Sequence, residues 1–242
     1  MSEKKFDLIS FATPDLLARA AASAWLDEIE AANRTSKTFC VALSGGRITQ
    51  KFFGDAAEMS AGRSLSWKNV HFFWADERCV PPTDAESNFR LAHELLFEPL
   101  KIPDQQIHRL RGEDLPNDAV KKAEAELRRF AAGNQMGQPI LDLILLGMGE
   151  DGHVASLFPN SARRITDVTV PFLAVDNSPK PPPHRISLSY AAILAAKNVW
   201  VLASGTGKEA VLKDSLATNS TTPLGFVINS RSGTKIFTDL HL

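Results

Sequence analysis

The feature that most constrains this chain is an alternation. Short apolar runs rich in Val, Ile and Phe take turns with longer amphipathic stretches along its 242 residues. Val70-His71-Phe72-Phe73-Trp74-Ala75 is nearly continuous in its hydrophobicity, as expected of a strand covered on both faces in a parallel sheet. Further strands are expected at 39–43, 140–146, 168–175, 185–188, 199–203 and 235–237. Between them lie helical patterns. Thr13 reads as an N-cap, with Pro14 at the first helical position and Asp15 beside it. Leu16, Leu17, Ala20, Ala21, Ala24 and Trp25 then recur at helical spacing. Others begin near Thr49, span 87–97 and 118–131, and begin near Thr206. Such an order predicts an α/β chain built on a doubly wound, mostly parallel sheet with helices on both faces. With no internal repeat, low-complexity tract or long linker, residues 1–242 read as one domain.

Composition narrows the function. A hydrophobic fraction of 44% and a charged fraction of 23% are ordinary for a soluble globular protein. The net charge of -1 favours neither nucleic acid nor an anionic membrane, so local residues must hold any anionic ligand. No run approaches the ~20 apolar residues that span a bilayer. Cys40 and Cys79 match no zinc-ligand spacing and make no disulfide framework. The start, MSEKKFDLISF, lacks a signal peptide's apolar region. A cytoplasmic protein with no metal is expected.

In doubly wound sheets, ligands sit outside the carboxyl ends of the strands, and each polar cluster here follows such an end. After the strand at 39–43, Ser44-Gly45-Gly46 can turn tightly and aim N–H groups at an anion beside a helix N-terminus. An ordinary strand-to-helix turn would look the same. Asp76-Glu77-Arg78 sets three charges against a hydrophobic strand end, where they must pair with each other or meet a ligand. Arg78 offers a planar fork for phosphate oxygens. Ser87-Asn88 is either a helix cap or a source of a hydroxyl-binding amide.

The sharpest feature is Gly147-Met148-Gly149-Glu150-Asp151-Gly152-His153. Three glycines bring backbone close to something, and a neutral imidazole is the usual general base near physiological pH. If His153 opens a helix, the dipole would keep it neutral. Asp151 either orients His153 or binds a sugar hydroxyl. Lys208, in Gly205-Thr206-Gly207-Lys208, is expected in the first turn of a helix, where an anionic ligand would reverse its unfavourable placement.

In these motifs the chain resembles the 6-phosphogluconolactonase family. The matching stretches are LSGG at 43–46, WADERCVPPTDAESN at 74–88, LDLILLGMGEDGHVASLFP at 141–159, SPKPPPHRISLS at 178–189 and GTGKEAVL at 205–212. The resemblance implies a Rossmann-like fold and hydrolysis of 6-phosphoglucono-δ-lactone to 6-phosphogluconate, the second step of the oxidative pentose phosphate pathway. It implies no cofactor, a small sugar-phosphate as the partner, and a monomer or small homo-oligomer. Carried over, His153 is the general base, and Arg78 and Lys208 hold the phosphate with Ser44, Gly45 and Gly46 nearby. Asp76, Asn88 and Asp151 line the sugar pocket. One departure stands out: family members often continue the glycine turn with Ser-Thr-Pro, where this chain has Arg47-Ile48-Thr49.

Two alternatives remain open. An amino-sugar-phosphate isomerase/deaminase shares the fold, but there the Asp-Gly-His turn continues Ala-Phe-Asn-Glu-Pro, and Phe158 occupies the glutamate's place here. A non-catalytic sugar-phosphate-sensing module would usually carry a DNA-binding extension, and none is recognisable.

Overall fold

The protein is described by a computed structural model covering residues 5–135, 137–159 and 169–242. It begins with β1 (Phe6–Ser10), α1 (Pro14–Thr35), β2 (Phe39–Leu43), α2 (Arg47–Ser60), β3 (Val70–Trp74) and β4 (Asp76–Arg78). The helix α3 (Asn88–Ala92) runs through a π turn at His93–Phe97 into α4 (Glu98–Leu100), and α5 (Pro116–Phe130) follows. The remainder is β5 (Leu143–Gly147), β6 (Phe172–Val175), β7 (Arg185–Leu188), α6 (Tyr190–Ala195), β8 (Asn198–Ala203), α7 (Glu209–Ser215), α8 (Pro223–Ser230) and β9 (Thr234–Thr238).

Six strands form one parallel sheet in the order β1-β9-β8-β5-β2-β3. Its centre explains the apolar runs. All five residues of β2 are buried, as are Leu143 to Leu146 and Val199 to Ala203. The predicted helix start holds: the Thr13 hydroxyl accepts from the Leu16 N–H at 3.2 Å, with Pro14 opening α1.

The structure departs from expectation in several places. A second, antiparallel sheet, β4-β7-β6, stands beside the first. Asp76-Glu77-Arg78 is therefore itself a strand, hidden from a hydrophobic pattern because all three residues are charged. Edge strand β1 is only partly buried, which is why its residues carry no strong periodic signal. Helices α6 and α8 went unread, although Thr222-Pro223 repeats the start signal of Thr13-Pro14: Thr222 accepts from the Gly225 N–H at 3.0 Å. Val168 lies outside the described residues.

From β2 the chain moves one way to β3, and β5 later arrives on β2's other side. The carboxyl ends of β2 and β5 thus mark the topological switch point of the sheet, where doubly wound folds bind ligands. Side chains fix their register at both ends. The Asp142 carboxylate accepts from the Cys40 N–H at 2.8 Å, and the Ser44 hydroxyl donates to the Leu145 carbonyl at 2.8 Å.

Candidate active site

Outside the switch point lies a cleft whose walls include Ser44, Gly45, Gly46, Asp76, Arg78, Asn88, His153 and Lys208. Eight of the nine residues picked from sequence therefore converge, from five separate stretches of chain. The ninth, Asp151, sits behind His153: its Oδ1 lies 2.5 Å from His153 Nδ1 and accepts from the His153 N–H at 3.3 Å. A carboxylate only accepts, so Nδ1 carries the proton and Nε2 keeps its lone pair.

His153 opens no helix. It sits in a turn closed by the Gly149 N–H to the His153 carbonyl and the Gly152 N–H to the Gly149 carbonyl. Those two N–H groups are thereby unavailable to an oxyanion. Burial, not a helix dipole, pushes the imidazole pKa below its usual 6.5, against the opposing pull of Asp151. Burial raises the Asp151 carboxyl, and the bond and charge of His153 outweigh it, so the net direction is down. Gly149 is required by contact: a Cβ there would lie 2.0 Å from the imidazole ring. Phe158 also packs against the ring, with centroids 4.6 Å apart.

The β4 strand separates its charges by alternation. Asp76 and Arg78 line the cleft, while Glu77 turns the other way and is 2% exposed. Its carboxylate accepts from the N–H groups of Arg78, Asn88 and Phe89 at 2.7–2.8 Å and from the Ser87 hydroxyl at 3.0 Å. Glu77 is thus a structural pin that caps α3, with burial pushing its pKa to about 7. Arg78 turns to Glu86, donating to its carbonyl at 2.6 Å and lying 3.4 Å from its carboxylate.

The helix-cap reading of Ser87-Asn88 holds. Ser87 caps α3, and the Asn88 amide donates to the Asp76 carbonyl at 2.9 Å in the cleft wall. That position needs a glycine opposite, since a Cβ on Gly45 would fall 1.9 Å from Asn88 Oδ1. Lys208 is the N-cap of α7, one residue before the helix, and its Nζ donates to the Met148 carbonyl at 2.7 Å. Burial lowers its pKa, and the neighbouring Arg47 lowers it further. Burial raises the Cys79 pKa to about 11, with Glu77 and Asp176 adding to the rise, which disfavours its thiolate.

Against known proteins, a family described as glucosamine-6-phosphate isomerases/6-phosphogluconolactonase matches residues 12–237. The chain belongs to this family. It is 38% identical over 199 residues to a 6-phosphogluconolactonase of Treponema pallidum, covering 81% of this chain and 79% of that one. It also resembles the solved structure of 6-phosphogluconolactonase from Trypanosoma brucei, with a TM-score of 0.84, 26% identity, and 96% and 95% of the two chains covered. A monomeric glucosamine-6-phosphate deaminase superposes with a TM-score of 0.78 at 17% identity, over 96% of each chain, a likeness of fold alone. The family fold is thus common to both chemistries, and the site has to separate them. No helix among the described residues is long and apolar enough to cross a membrane.

Arg185 in the cleft wall, and Ser156 buried behind that wall, escaped the sequence reading. Arg185 is 4% exposed, opens β7 and lies cross-strand from Arg78. Its guanidinium donates to the carbonyls of Lys180, Pro181 and Pro182 and lies over the Phe158 ring at 5.6 Å. An arginine heading an otherwise buried strand was the available signal. Ser156 donates to Asp76 Oδ2 at 2.7 Å, tying the His153 loop to β4. A serine inside an apolar stretch gives no sequence signal for that.

Proposed function

We propose that this protein hydrolyses 6-phosphoglucono-δ-lactone to 6-phosphogluconate, the second step of the oxidative pentose phosphate pathway. The observation that carries the reading is the surroundings of His153. A half-buried imidazole whose pKa is held low faces a polar cleft, held from behind by Asp151 and flanked by Phe158. A phenyl ring cannot transfer a proton, so the glutamate-assisted ring opening of an amino-sugar phosphate has no agent at that place. Relatives bearing the lactonase name across most of the chain support the same choice.

In this mechanism Arg78, Lys208 and the N–H groups of the Ser44-Gly45-Gly46 turn anchor the phosphate. The Ser44 hydroxyl proton is spent on Leu145, so that residue contributes backbone rather than a donated O–H. Asp76 and Asn88 meet the sugar hydroxyls. Anchoring the distant dianion fixes the ring and removes part of the entropic barrier. Asp151 holds Nδ1–H, and Nε2 takes a proton from water as its oxygen bonds to C1. The tetrahedral adduct collapses, the C1–ring-oxygen bond breaks, and Nε2–H returns its proton to the departing ring oxygen.

The test is the disappearance of the lactone, generated in situ at slightly acidic pH where uncatalysed opening is slow, with unphosphorylated gluconolactone alongside. Fast loss of the phosphorylated lactone alone is expected. No acceleration over buffer by folded protein would remove the lactonase reading, and sugar-phosphate binding without turnover would favour a sensor.

A further inference from the structure

Helix α2 begins at Arg47, directly after Gly46 (φ 120°), and no side chain caps it. A cation at the first position of a helix opposes the positive end of the dipole. Arg47 nevertheless lines the cleft. Its Nη2 lies 3.6 Å, and Lys208 Cε 3.8 Å, from the point where a Cβ on Gly205 would stand, so the two cations share one side of that glycine. After burial, Arg47 does most to hold Lys208 below the usual lysine range, with Lys180 adding to the fall and Glu150 and Asp239 opposing it. Among the described residues, the Arg47 side chain makes no hydrogen bond or ion pair. Lys208 meets only a carbonyl, that of Met148. Three unfavourable placements coincide: a cation on a helix N-terminus, a second cation beside it, and no carboxylate bonded to either. A single dianion bound between them reverses all three.

We infer that Arg47 is a third cationic ligand for the substrate phosphate, acting beside Lys208 and with Arg78, and that it sets the preference for a phosphorylated over a neutral lactone. The inference rests on the lactonase reading above. A planar fork at the mouth of the α2 N-terminus suits two phosphate oxygens, while the Lys208 ammonium supplies a point charge. The phosphate is remote from the lactone carbonyl, so Arg47 acts through binding and orientation and touches no reacting atom.

The experiment compares wild type, Arg47→Met and Arg47→Lys by titration calorimetry with 6-phosphogluconate and with inorganic phosphate. It adds kcat/KM on the phosphorylated and unphosphorylated lactones. Loss of a charge-assisted bond predicts about tenfold weaker 6-phosphogluconate binding in Arg47→Met, with Arg47→Lys regaining most of it. The phosphorylated lactone should lose kcat/KM mainly through KM, while gluconolactone hydrolysis moves by less than about twofold, since it carries no charged group to lose. Unchanged 6-phosphogluconate affinity in Arg47→Met overturns the inference, and so does an equal loss on both lactones, which would mark a structural role. If wild type hydrolyses the lactone and Arg47→Met behaves identically, this inference alone fails. If wild type binds 6-phosphogluconate in an Arg47-dependent way yet hydrolyses nothing, the phosphate ligand stands and the lactonase reading falls.

Discussion

At the scale of single residues the account turns on the pair Asp151 and His153. Burial favours the neutral imidazole, and Asp151 opposes it while fixing the tautomer. A base is lost when it takes up a proton, so the acid limb of kcat/KM should lie below the usual histidine value of 6.5. Asp151→Asn removes the charge that raises the His153 pKa, so the limb should move to still lower pH. The loosened ring should also lower kcat by about 10²-fold. A pH–rate profile of both proteins reads these effects, and an upward shift in the variant would contradict the arrangement. The pair was legible in sequence because glycines crowded around a histidine are unusual. The division of labour was not, since the motif leaves Asp151 free to face substrate or imidazole. Only the 2.5 Å contact places it behind the ring. Ser156 was illegible for a related reason, since its partner Asp76 lies on another element.

At the scale of elements, β4 and α3 form a unit welded by Glu77, whose carboxylate gathers three N–H groups and one hydroxyl at the start of α3. Its pKa rises from 4.5 to about 7 through burial. The folded state therefore holds a proton that the unfolded state has released between those values. The associated stability is complete below pH 4.5 and is lost as pH rises through about 7. Glu77→Gln should flatten that window. It should also cost about 1–3 kcal/mol, because an amide N–H₂ would then face backbone donors. Denaturant unfolding between pH 5 and 8 checks both, and an unchanged slope with pH would count against the pin. The central strands were readable from burial on both faces, whereas β4 is written entirely in charged residues. Its strand character comes from pairing with β7, in the register Asp76↔Ser187 and Arg78↔Arg185, which no local pattern announces.

At the scale of the molecule, the cleft lies where the parallel sheet's switch point meets the small antiparallel sheet. Ser44 and His153 follow β2 and β5, Lys208 follows β8, and Asp76 and Arg78 come from the second sheet. A ligand bridging these groups ties the two sheets together. At about 100 times its dissociation constant, 6-phosphogluconate should add about 2.7 kcal/mol to unfolding stability, with gluconate adding far less. Equal stabilisation by both, followed in thermal melts, would deny the phosphate its anchoring role. The doubly wound plan was legible because strand–helix alternation leaves few topologies, and ligands of such sheets gather at one edge. The second sheet was not, since its strands are short and belong to no alternation.

The most direct test of the central claim sets wild type beside His153→Ala on freshly generated 6-phosphoglucono-δ-lactone at slightly acidic pH, with folding of both checked by circular dichroism. The account predicts rapid loss with wild type and turnover lower by about 10²–10⁴-fold in the variant, the usual yield of a general base, with 6-phosphogluconate affinity retained. Near-normal turnover by folded His153→Ala would contradict it.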